Sequence, residues 1–370
     1  MTVVFVGSNA SVFVSRTQAE LVRRGLQVSI LDPYVLIESS VDGNNIFNKL
    51  SRAIARYRNV RRLISQYPHD SVAMVHFLGF DCVWLIPLLK TRFRRVVGIA
   101  YGSDILRRRR VLDPFLGYGL KQLDAVVATN FNVLDELELS FPILADRSLG
   151  ILRFGLPVLD ELRKLDGVTS LQSKARLGFD PTRRLASLGY AASPGQRQLE
   201  QINFFVSRLA EFDDLDFVVP IQYGSKQTMD EVSAHCSRVN SQIGAERFLP
   251  LTEFHSPDRA ALMRLATDVL INHSVTDAFS GTVMEVVYAG NLVLAGSHLP
   301  YDRMPGFGTA ILPYQGLEDV ASALHKNHFF EHLRTAKNSV TENRAALCAT
   351  STWDAVLPDW IRVLGVKGST

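Results

Sequence analysis

The first half of the chain alternates between short apolar runs and longer amphipathic stretches. Residues 3–7 are β-branched and apolar and end at Gly-Ser-Asn, which is typical of a buried parallel strand. The amphipathic stretch at 14–24 predicts a helix that stops at Gly25, and residues 28–31 predict the next strand. The chain therefore begins with a strand–helix–strand unit.

The same alternation continues to residue 128. Residues 72–77, 95–100 and 125–128 predict strands, and 80–90 predicts a helix interrupted by Pro87. Strands that alternate with helices indicate a mostly parallel sheet covered by helices on both faces. Ligands of such sheets bind beyond the carboxyl ends of the strands, so the residues that follow each strand are the candidates for chemistry.

A second alternation follows a polar stretch at 159–184, which we interpret as a linker or domain entry. The pattern alone therefore predicts two successive α/β domains. The strands predicted in the second domain are 185–189, 216–220, 269–272 and 292–295, and the helices are 198–209, 261–266, 281–288, 317–324, 329–342 and 353–364.

Composition narrows the class of protein. The 370 residues are 47% hydrophobic and 21% charged, which is typical of a globular protein rather than a disordered or fibrous one. The three cysteines, Cys82, Cys236 and Cys348, lie far apart, which argues against a disulfide framework or a zinc cluster and favours a reducing compartment. No apolar run reaches the roughly 18 residues of a membrane span, and no signal-peptide pattern is present, so we expect a cytoplasmic protein.

Positive charge is concentrated in the first half. Residues 1–160 carry 20 Lys and Arg against 14 Asp and Glu, whereas residues 161–370 carry 20 against 23. The excess is either a set of solvated surfaces or a docking face for anionic lipid headgroups, where each basic residue contributes about 1 kcal/mol. Nucleic acid is a weaker candidate, since aromatic residues do not interleave with the arginines. The clustered arginines are Arg52, Arg56, Arg58, Arg61 and Arg62, then Arg92, Arg94 and Arg95, then Arg107, Arg108, Arg109 and Arg110.

The segment from 272 to 285 leaves a predicted strand, crosses a loop of small residues and enters a predicted helix. Ser280, Gly281 and Thr282 stand where that helix begins, so a ligand can approach the first backbone N–H groups, which together with the helix dipole favour a phosphate. Glu285 lies one turn further, on the face that points back toward the loop, and its carboxylate can accept hydrogen bonds from a ribose diol. The alternative is an ordinary helix cap followed by a surface carboxylate.

Two acids in this segment carry a resemblance to a known family. Asp277 stands eight positions before Glu285, with the aromatic Phe279 between them. This arrangement resembles the E-x7-E motif of the retaining family-4 glycosyltransferases, which have the two-domain GT-B fold. The resemblance gives Asp277 the place of the first acid, a catalytic position, and Glu285 the place of the second. The sequence departs from the motif at Asp277, where the family has Glu, and at Asn291, where Pro is common.

A looser resemblance relates residues 187–190, 218–224 and 248–254 to the bacterial 4-acetamido-dideoxygalactose transferase of common-antigen lipid assembly. The two resemblances imply a GT-B protein whose two Rossmann-like domains face each other across a cleft. Residues 1–160 would hold the acceptor, 161–349 would hold a nucleotide-diphosphate sugar, and a C-terminal helix within 350–370 would pack on the first domain. The first resemblance implies a retaining reaction and the second an inverting one.

Basic residues in two loops of the second domain are candidates to bind the departing diphosphate. Negative charge develops there during transfer, so without a metal ion cationic side chains must stabilise it. Arg197, at the start of a predicted helix, is the first candidate by resemblance, and Lys226 is the second. The alternative for each is an ordinary surface side chain. We expect no metal and no cofactor, because no D-x-D sequence stands in a loop with apolar flanks.

Polar residues also follow the strands predicted in the first domain. Asp104 lies beyond a buried strand and could deprotonate an acceptor hydroxyl, or could simply cap a helix. His76 stands at another strand end, as an acceptor-side residue or a buried core histidine. Gly7, Ser8 and Asn9 form the first loop and would line the acceptor side. That loop is not the G-x-G-x-x-G fingerprint, so we predict no nicotinamide site.

The sequence therefore predicts a metal-independent glycosyltransferase of polysaccharide biosynthesis. Its predicted partners are a nucleotide-sugar donor and, as acceptor, a cell-surface glycan or a lipid-linked sugar. An anionic membrane surface is the third predicted partner, to which this cytoplasmic protein would attach peripherally. No nucleic acid partner is expected. Two alternatives stay open. One is a nucleotide-sugar 2-epimerase on the same fold, and the other is a non-catalytic two-domain module that binds a nucleotide or a protein partner.

Overall fold

The computed structural model describes residues 2–34, 46–303 and 310–366, and within this range it leaves the side chains of residues 46–52 undescribed. The Arg52 side chain and the last four residues of the predicted C-terminal segment thus lie outside the described residues. The chain divides into two units, which we call unit 1 and unit 2. Unit 1 contains the residues up to Phe154 and those from Val356 onward, and unit 2 is Gly155–Ala355.

Unit 1 is built on a six-stranded sheet in the order β2-β1-β3-β4-β5-β6, and all its strand pairs are parallel. Strands β1 and β3 are buried along their whole length, which explains why they appear in the sequence as uninterrupted apolar runs. The strands are β1 (Val3–Val6), β2 (Val28–Leu31), β3 (Val72–His76), β4 (Arg95–Ala100), β5 (Ala125–Ala128) and β6 (Ser148–Ile151).

The helices of unit 1 include two features that the hydrophobic pattern did not predict. A long helix precedes β3, in a region that the sequence analysis treated only as a basic cluster. The helix predicted at 80–90 is two short helices, with Pro87 in the first turn of the second, where its missing N–H costs no hydrogen bond. The helices are α1 (Val12–Arg23), α2 (Ile46–Ile64), α3 (Phe80–Val83), α4 (Ile86–Lys90), α5 (Ser103–Leu106), α6 (Asp113–Leu120) and α7 (Phe131–Ser140).

Unit 2 contains a second six-stranded parallel sheet, in the order β12-β11-β10-β7-β8-β9. Successive residues of β10 pack into different cores, since Val269 and Ile271 join one apolar cluster and Leu270 joins another. Because side chains alternate across a strand, both faces of this sheet are covered. The strands are β7 (Arg184–Leu188), β8 (Leu215–Pro220), β9 (Phe248–Leu251), β10 (Val269–Asn272), β11 (Leu292–Gly296) and β12 (Ile311–Tyr314).

Helices also occupy the stretch that we interpreted as a linker. Polar residues dominate it, but α8 places Val158, Leu159 and Leu162 in the core, and Thr169 caps α9 by accepting a hydrogen bond from the Gln172 N–H group. The helices of unit 2 are α8 (Pro157–Lys164), α9 (Ser170–Leu177), α10 (Gln198–Val206), α11 (Lys226–Ile243), α12 (Pro257–Ala266), α13 (Gly281–Tyr288), α14 (Leu317–Leu324), α15 (Lys326–Asn338) and α16 (Val340–Ser351).

The last helix, α17 (Trp353–Leu364), begins in unit 2 and continues into unit 1. Within unit 1 the Trp360 ring lies 5.4 Å from the Phe154 ring and 6.1 Å from the Phe5 ring, measured between centroids, and its indole N–H donates to the Arg153 carbonyl. The two parallel sheets and their helices confirm the predicted α/β class. Across the described ranges, no helix combines the length and apolar character required to span a bilayer.

Candidate functional site

In unit 2, the loop that follows β7 is hydrogen-bonded to the loop that follows β8 and to the loop that follows β10. The Ala192 N–H donates to the Tyr223 carbonyl, the Ser225 N–H to the Ala192 carbonyl and the Val275 N–H to the Gly195 carbonyl, each at 2.8 Å. These three loops, residues 189–197, 221–225 and 273–280, form what we call the loop rim. Because the carboxyl ends of parallel strands meet at one edge of the sheet, the rim gathers the polar residues of three separate loops.

The Gln196 and Ser274 side chains, both buried, join the first and third loops of the rim. Gln196 donates from Nε2 to the Ser274 hydroxyl at 2.8 Å, and its Oε1 accepts from the Tyr190 N–H at 3.1 Å. His298, which follows β11, contacts the Ser274 carbonyl through Nε2 at 2.9 Å. These residues have no signal in the local sequence, because contacts between distant loops leave no local pattern.

Helix α13 begins at Gly281, as predicted, and Ser280 is its N-cap residue. The Ser280 side chain does not cap the helix, so that hydroxyl does not take the first backbone N–H groups. A Cβ at Gly281 would lie 2.8 Å from Leu156 Cδ2. A larger residue at this position would therefore require the Leu156 side chain to shift. The helix start retains the positive dipole end that favours an anion.

Glu285 lies one turn inside α13 and is 7% exposed. Arg264 on α12 pairs with it, with Nε 2.9 Å from Glu285 Oε2, and donates from Nη2 to the Thr282 hydroxyl at 3.1 Å. The other carboxylate oxygen, Oε1, lies 3.9 Å from where a Cβ on Gly281 would be, so the carboxylate points back toward the start of the helix. Arg264 orients the Glu285 carboxylate and was not among the residues predicted from the sequence.

Asp277 lies in the third loop of the rim and is buried. Its Oδ2 accepts hydrogen bonds from the Tyr301 hydroxyl at 2.5 Å and from Asn272 Nδ2 at 2.6 Å, and its Oδ1 accepts from the Ala278 N–H at 2.6 Å. Burial raises the pKa of Asp277, and the hydrogen bonds from Tyr301, Asn272, Ala278 and Tyr190 oppose that rise. The carboxylate therefore connects the loop to Asn272 and Tyr301.

Phe279, two residues after Asp277, has a left-handed backbone with φ of 61°. Such a conformation costs a residue with a side chain about 1–3 kcal/mol and persists only where its surroundings enforce it. The ring packs edge-on against Tyr301, with centroids 5.7 Å apart. The turn that leads into α13 is thus held in a strained conformation by its neighbours.

The two basic candidates lie where helices begin, Arg197 at the end of the rim's first loop and Lys226 directly after its second. Arg197 immediately precedes α10, has a left-handed backbone with φ of 51°, and holds Nε 3.9 Å from Glu200 Oε2. Lys226 is the first residue of α11; its side chain is exposed, and its ammonium lies 3.1 Å from Asp230. Both side chains are exposed, and each lies beside an acid, Glu200 for Arg197 and Asp230 for Lys226.

Glu200 also connects Arg197 to the interior of unit 2. Its Oε1 lies 3.3 Å from Nε2 of His273, whose Nδ1 lies 2.8 Å from the Tyr314 hydroxyl. Burial lowers the pKa of His273, and the hydrogen bond to Glu200 opposes that shift. His273 is therefore held in place on both sides of its ring, although the sequence assigned it no role.

In unit 1, the predicted acceptor-side loop follows β1. The Gly7 N–H donates to the Leu31 carbonyl at 3.2 Å, and the Asn9 N–H donates to Asp32 Oδ2 at 2.6 Å. The Ser8 hydroxyl accepts from the Ala10 N–H at 3.2 Å. The loop is thus fixed by its own backbone, and Asp32, at the end of the neighbouring strand, anchors it.

His76, the second acceptor-side candidate, is fully buried at the end of β3. Its Nδ1 lies 2.6 Å from the Tyr101 hydroxyl, and its ring packs on Phe5 at 4.3 Å between centroids. Within the described part of the chain, its Nε2 has no hydrogen-bond partner. Burial lowers the pKa of His76 to about 3, so the ring is neutral. This arrangement favours the core reading that the sequence left open.

Asp104, the candidate base, lies in the first turn of α5 and binds backbone groups from two loops. Its Oδ2 accepts from the Leu78 N–H at 2.7 Å, and its Oδ1 accepts from the N–H groups of Gly102 at 2.7 Å and Tyr101 at 3.1 Å. Burial raises the pKa of Asp104, while these N–H groups act in the opposite direction. Asp104 therefore anchors the turns after β3 and β4, and its raised pKa suits a base.

In the described ranges, no group of three or more His, Cys, Asp or Glu side chains could hold a metal ion. Arg197 and Lys226 lie at or directly after the first and second loops of the rim, and the third loop leads into the start of α13. Glu285 lies beyond them as a hydrogen-bond acceptor.

No protein-family model and no curated protein sequence matches the chain. Solved structures do match over nearly its whole length. Sucrose-phosphate synthase from Thermosynechococcus elongatus superposes with a TM-score of 0.72 at 11% identity and 98% coverage of both chains. An α,α-trehalose-phosphate synthase (UDP-forming) from Burkholderia vietnamiensis gives a TM-score of 0.72 at 11% identity, over 99% of this chain and 100% of that one.

Starch synthase IV from Arabidopsis thaliana, solved as a catalytic domain bound to ADP and acarbose, gives a TM-score of 0.65 at 12% identity and 99% coverage of both chains. At such identities the likeness concerns the fold alone. The predicted fold class is confirmed: the chain has two six-stranded parallel sheets with covering helices and is similar in fold to the GT-B glycosyltransferases.

Proposed function

We propose that the protein transfers a sugar from a nucleotide-diphosphate donor to a glycan or lipid-linked acceptor of the cell surface, without a metal ion. The observation that carries this proposal is the approach to α13, where a strained turn leads into the helix and the Glu285 carboxylate points back toward the helix start. A helix start suits the pyrophosphate, and a carboxylate one turn deeper suits the ribose diol. The family-4 resemblance of Asp277 and Glu285 supports the same arrangement.

The structural neighbours support the choice of donor class. One is UDP-forming, and another was solved with ADP bound. In the proposed reaction, an acceptor hydroxyl oxygen forms a bond to the anomeric carbon, the bond from that carbon to the diphosphate oxygen breaks, and the nucleoside diphosphate leaves. Arg197 and Lys226 would neutralise the charge that develops on the leaving group, which is where fixed cations stabilise a transition state most.

Unit 1 would bind the acceptor through the loop that begins at Gly7 and through the turns anchored by Asp104. The hydroxyl proton must leave as the new bond forms, and Asp104 is the proposed proton acceptor. Its pKa is raised by burial, which is the direction a base needs, although three backbone N–H groups already engage its oxygens. Asp277 would position the turn before α13 through Tyr301 and Asn272. The expected site of action is the cytoplasmic face of the membrane.

The donor site can be tested without knowing the acceptor. UDP, ADP and GDP are added separately to the full chain, and thermal unfolding is followed. A ligand at about 100 times its dissociation constant stabilises a protein by about 2.7 kcal/mol, so the preferred base should raise the unfolding temperature measurably. Glu285→Ala should abolish that rise, and Glu285→Gln should reduce it while still accepting a hydrogen bond from Arg264.

An exposed acid on α15, Glu331, provides the matched control. Glu331→Ala should respond to the nucleotide as the unchanged protein does. If no nucleoside diphosphate stabilises the unchanged protein, the proposed function is wrong. If the Glu285 variants fold and respond fully, the nucleotide binds elsewhere and the assignment of Glu285 fails.

A further inference from the structure

A stripe of large apolar side chains is exposed on the outer face of α6. Val111, in the single helical turn that runs directly into α6, is 77% exposed; Phe115 is 67% exposed and Tyr118 is 59% exposed. Their spacing of four and then three residues places them on one side of the helix. Single exposed apolar residues are ordinary, but an aligned set of this size marks an interaction surface. We call these three residues the α6 stripe.

The opposite face of α6 is fully packed, so the stripe cannot turn inward. Leu116 and Leu120 are buried, and a Cβ at Gly119 would come within 2.5 Å of the Val83 carbonyl oxygen on α3. The helix is thus apolar on its buried face and on its outer face. A helix that is apolar on both faces is normally covered on both sides. We therefore expect another apolar surface to cover the stripe.

Charge around the stripe identifies the covering partner. Residues 107–121 contain five basic residues and one acid, Asp113. Arg108 turns inward and binds Asp113, with Nε 2.9 Å from Oδ1, and also Glu136, with Nη1 2.8 Å from Oε1. Arg108 therefore pairs with the segment's one acid, and exposed basic residues lie immediately before and after the stripe in the sequence.

Those remaining cations are exposed beside the stripe. Arg109 and Arg110 immediately precede Val111, and Lys121 follows α6 with its ammonium 4.7 Å from the centre of the Tyr118 ring. Arg110 lies 3.9 Å from Glu136, the carboxylate that Arg108 already binds. Aromatic and aliphatic side chains at the level of the acyl boundary, with Lys and Arg at the level of the headgroups, are the pattern of an interfacial membrane helix.

We propose that the α6 stripe and its basic margin dock the protein on an anionic phospholipid bilayer. Val111, Phe115 and Tyr118 enter the headgroup region, and Arg109, Arg110 and Lys121 contact lipid phosphates. A protein partner would bind an apolar face too, but the one-sided positive charge complements an anionic lipid surface. The inference rests on the proposed function in one respect, since a lipid-linked acceptor would be presented at such a surface.

The test uses the full chain and sedimentation with large unilamellar vesicles at low ionic strength. Vesicles in which about one third of the lipid is phosphatidylglycerol should bind the protein, and pure phosphatidylcholine vesicles should bind it weakly. Phe115→Glu and Tyr118→Glu should each weaken binding roughly ten-fold or more, because each replaces a ring that the bilayer would bury by a charge. Arg109→Ala and Arg110→Ala should each weaken binding about five-fold, and added salt should reduce that difference.

Unit 2 offers matched controls. Phe330 on α15 is a phenylalanine of similar exposure, and Arg176 on α9 is an exposed arginine. Phe330→Glu and Arg176→Ala should bind vesicles as the unchanged protein does. The proposal is overturned if the unchanged protein ignores anionic vesicles, if the stripe variants bind as well as it does, or if the controls lose binding equally. Loss of self-association in Phe115→Glu without any vesicle binding would instead assign the stripe to an interface between copies.

Nucleotide binding separates this proposal from the proposed function. The stripe variants change exposed side chains, so they should unfold at the same temperature as the unchanged protein and keep the full stabilisation by the preferred nucleoside diphosphate. Vesicle binding by a protein that responds to no nucleotide would support the docking surface and contradict the donor site. Stabilisation by a nucleotide without vesicle binding would support the donor site and contradict the docking surface.

Discussion

The two units place the same kinds of side chain at the ends of their strands. In unit 1, Phe77 follows β3 with φ of 64° and stacks on Tyr101 at 4.0 Å between ring centroids. In unit 2, Phe279 follows β10 with φ of 61° and meets Tyr301 edge-on at 5.7 Å. Each tyrosine also touches a carboxylate. A left-handed phenylalanine, a tyrosine and an aspartate thus recur in both sheets.

The units differ in how the carboxylate is bound. Asp104 accepts the backbone N–H of Tyr101, together with those of Leu78 and Gly102, whereas Asp277 accepts the hydroxyl of Tyr301. The Tyr101 hydroxyl is therefore available to His76. A carboxylate bound by backbone fixes the path of the chain and tolerates side-chain changes around it. A carboxylate bound by side chains depends on each of them, so its pKa can be changed by substitution.

The largest effect on stability should come from the carboxylate bound by backbone. Asp104→Ala leaves several N–H groups without an acceptor and should lower the free energy of unfolding by about 3 kcal/mol; Asp104→Asn should cost about half as much. Urea unfolding measures both. Asp70→Ala, at an exposed acid of the same unit, should change stability by less than about 0.5 kcal/mol. A change at Asp104 no larger than at Asp70 would remove its anchoring role.

The catalytic reading of Asp104 needs a separate measurement. Asp104→Asn keeps a hydrogen-bond acceptor but removes the basic group, so transfer to an acceptor should fall about 100-fold or more while the nucleotide-induced stabilisation stays unchanged. The initial rate of nucleoside diphosphate release with acceptor present reports it. Full activity in Asp104→Asn would show that Asp104 is not the proton acceptor and only stabilises the fold.

Removal of the Tyr301 and Tyr101 hydroxyls should distinguish the two units, with effects on stability of intermediate size. Tyr301→Phe removes one donor from Asp277 and should cost about 1–2 kcal/mol; it should also raise the pKa of Asp277 further, because a bond that favours the charged form is lost. Tyr101→Phe removes the hydroxyl that contacts His76. It should leave the hydrogen bonds of Asp104 unchanged, because the backbone N–H of residue 101 remains. Urea unfolding across a pH series separates the outcomes, and identical profiles for the two variants would undo the contrast.

At both left-handed positions, Phe77 and Phe279, the glycine variant should have a free energy of unfolding about 1 kcal/mol higher than the alanine variant. Alanine normally exceeds glycine in stability, but a positive φ reverses the order. Phe77→Gly should therefore unfold at a higher urea concentration than Phe77→Ala, and Phe279→Gly at a higher one than Phe279→Ala. Phe204, in the middle of α10, should show the ordinary order. Alanine at or above glycine at either position would argue against the strained turn.

The smallest effect should be the dependence of protein stability on pH that Asp104 and Asp277 cause. Burial raises the folded-state pKa of Asp104 and of Asp277 above the unfolded value. Each group then adds stability below the ordinary carboxyl pKa of about 3.9, and that contribution is lost as pH rises through the folded pKa. Asp277→Asn should therefore show a smaller fall in stability above that pH than the unchanged protein. A steeper fall in the variant would reverse the assigned direction.

The strands that the sequence did not predict all lie at the sheet edges. The strands β6, β9 and β12 each lie at a sheet edge and are only partly buried. The interior strands β1, β3, β4, β5 and β7 have both faces covered and are almost continuously apolar, so their pattern predicts them. An edge strand needs fewer apolar side chains, and its pairing is set by a neighbour that is distant in sequence.

The site shows the same division between local and long-range information. The start of α13 and the inward direction of Glu285 follow from one local stretch of sequence. Arg264, which orients Glu285, comes from α12, and Tyr301, which binds Asp277, comes from the segment after β11. These partners depend on how the elements pack, so the sequence supplied the acids but not the groups that position them.

The hydrogen bonds that join the three loops of the rim make ligand preference a collective property. The first loop is bonded to the second through Ala192 and to the third through Gly195, so a foreign first loop with a different backbone path would lose the bonds to both. An engineer who seeks another donor sugar should therefore graft all three loops together. For the same reason, natural divergence in this molecule should favour coordinated replacements over single exchanges.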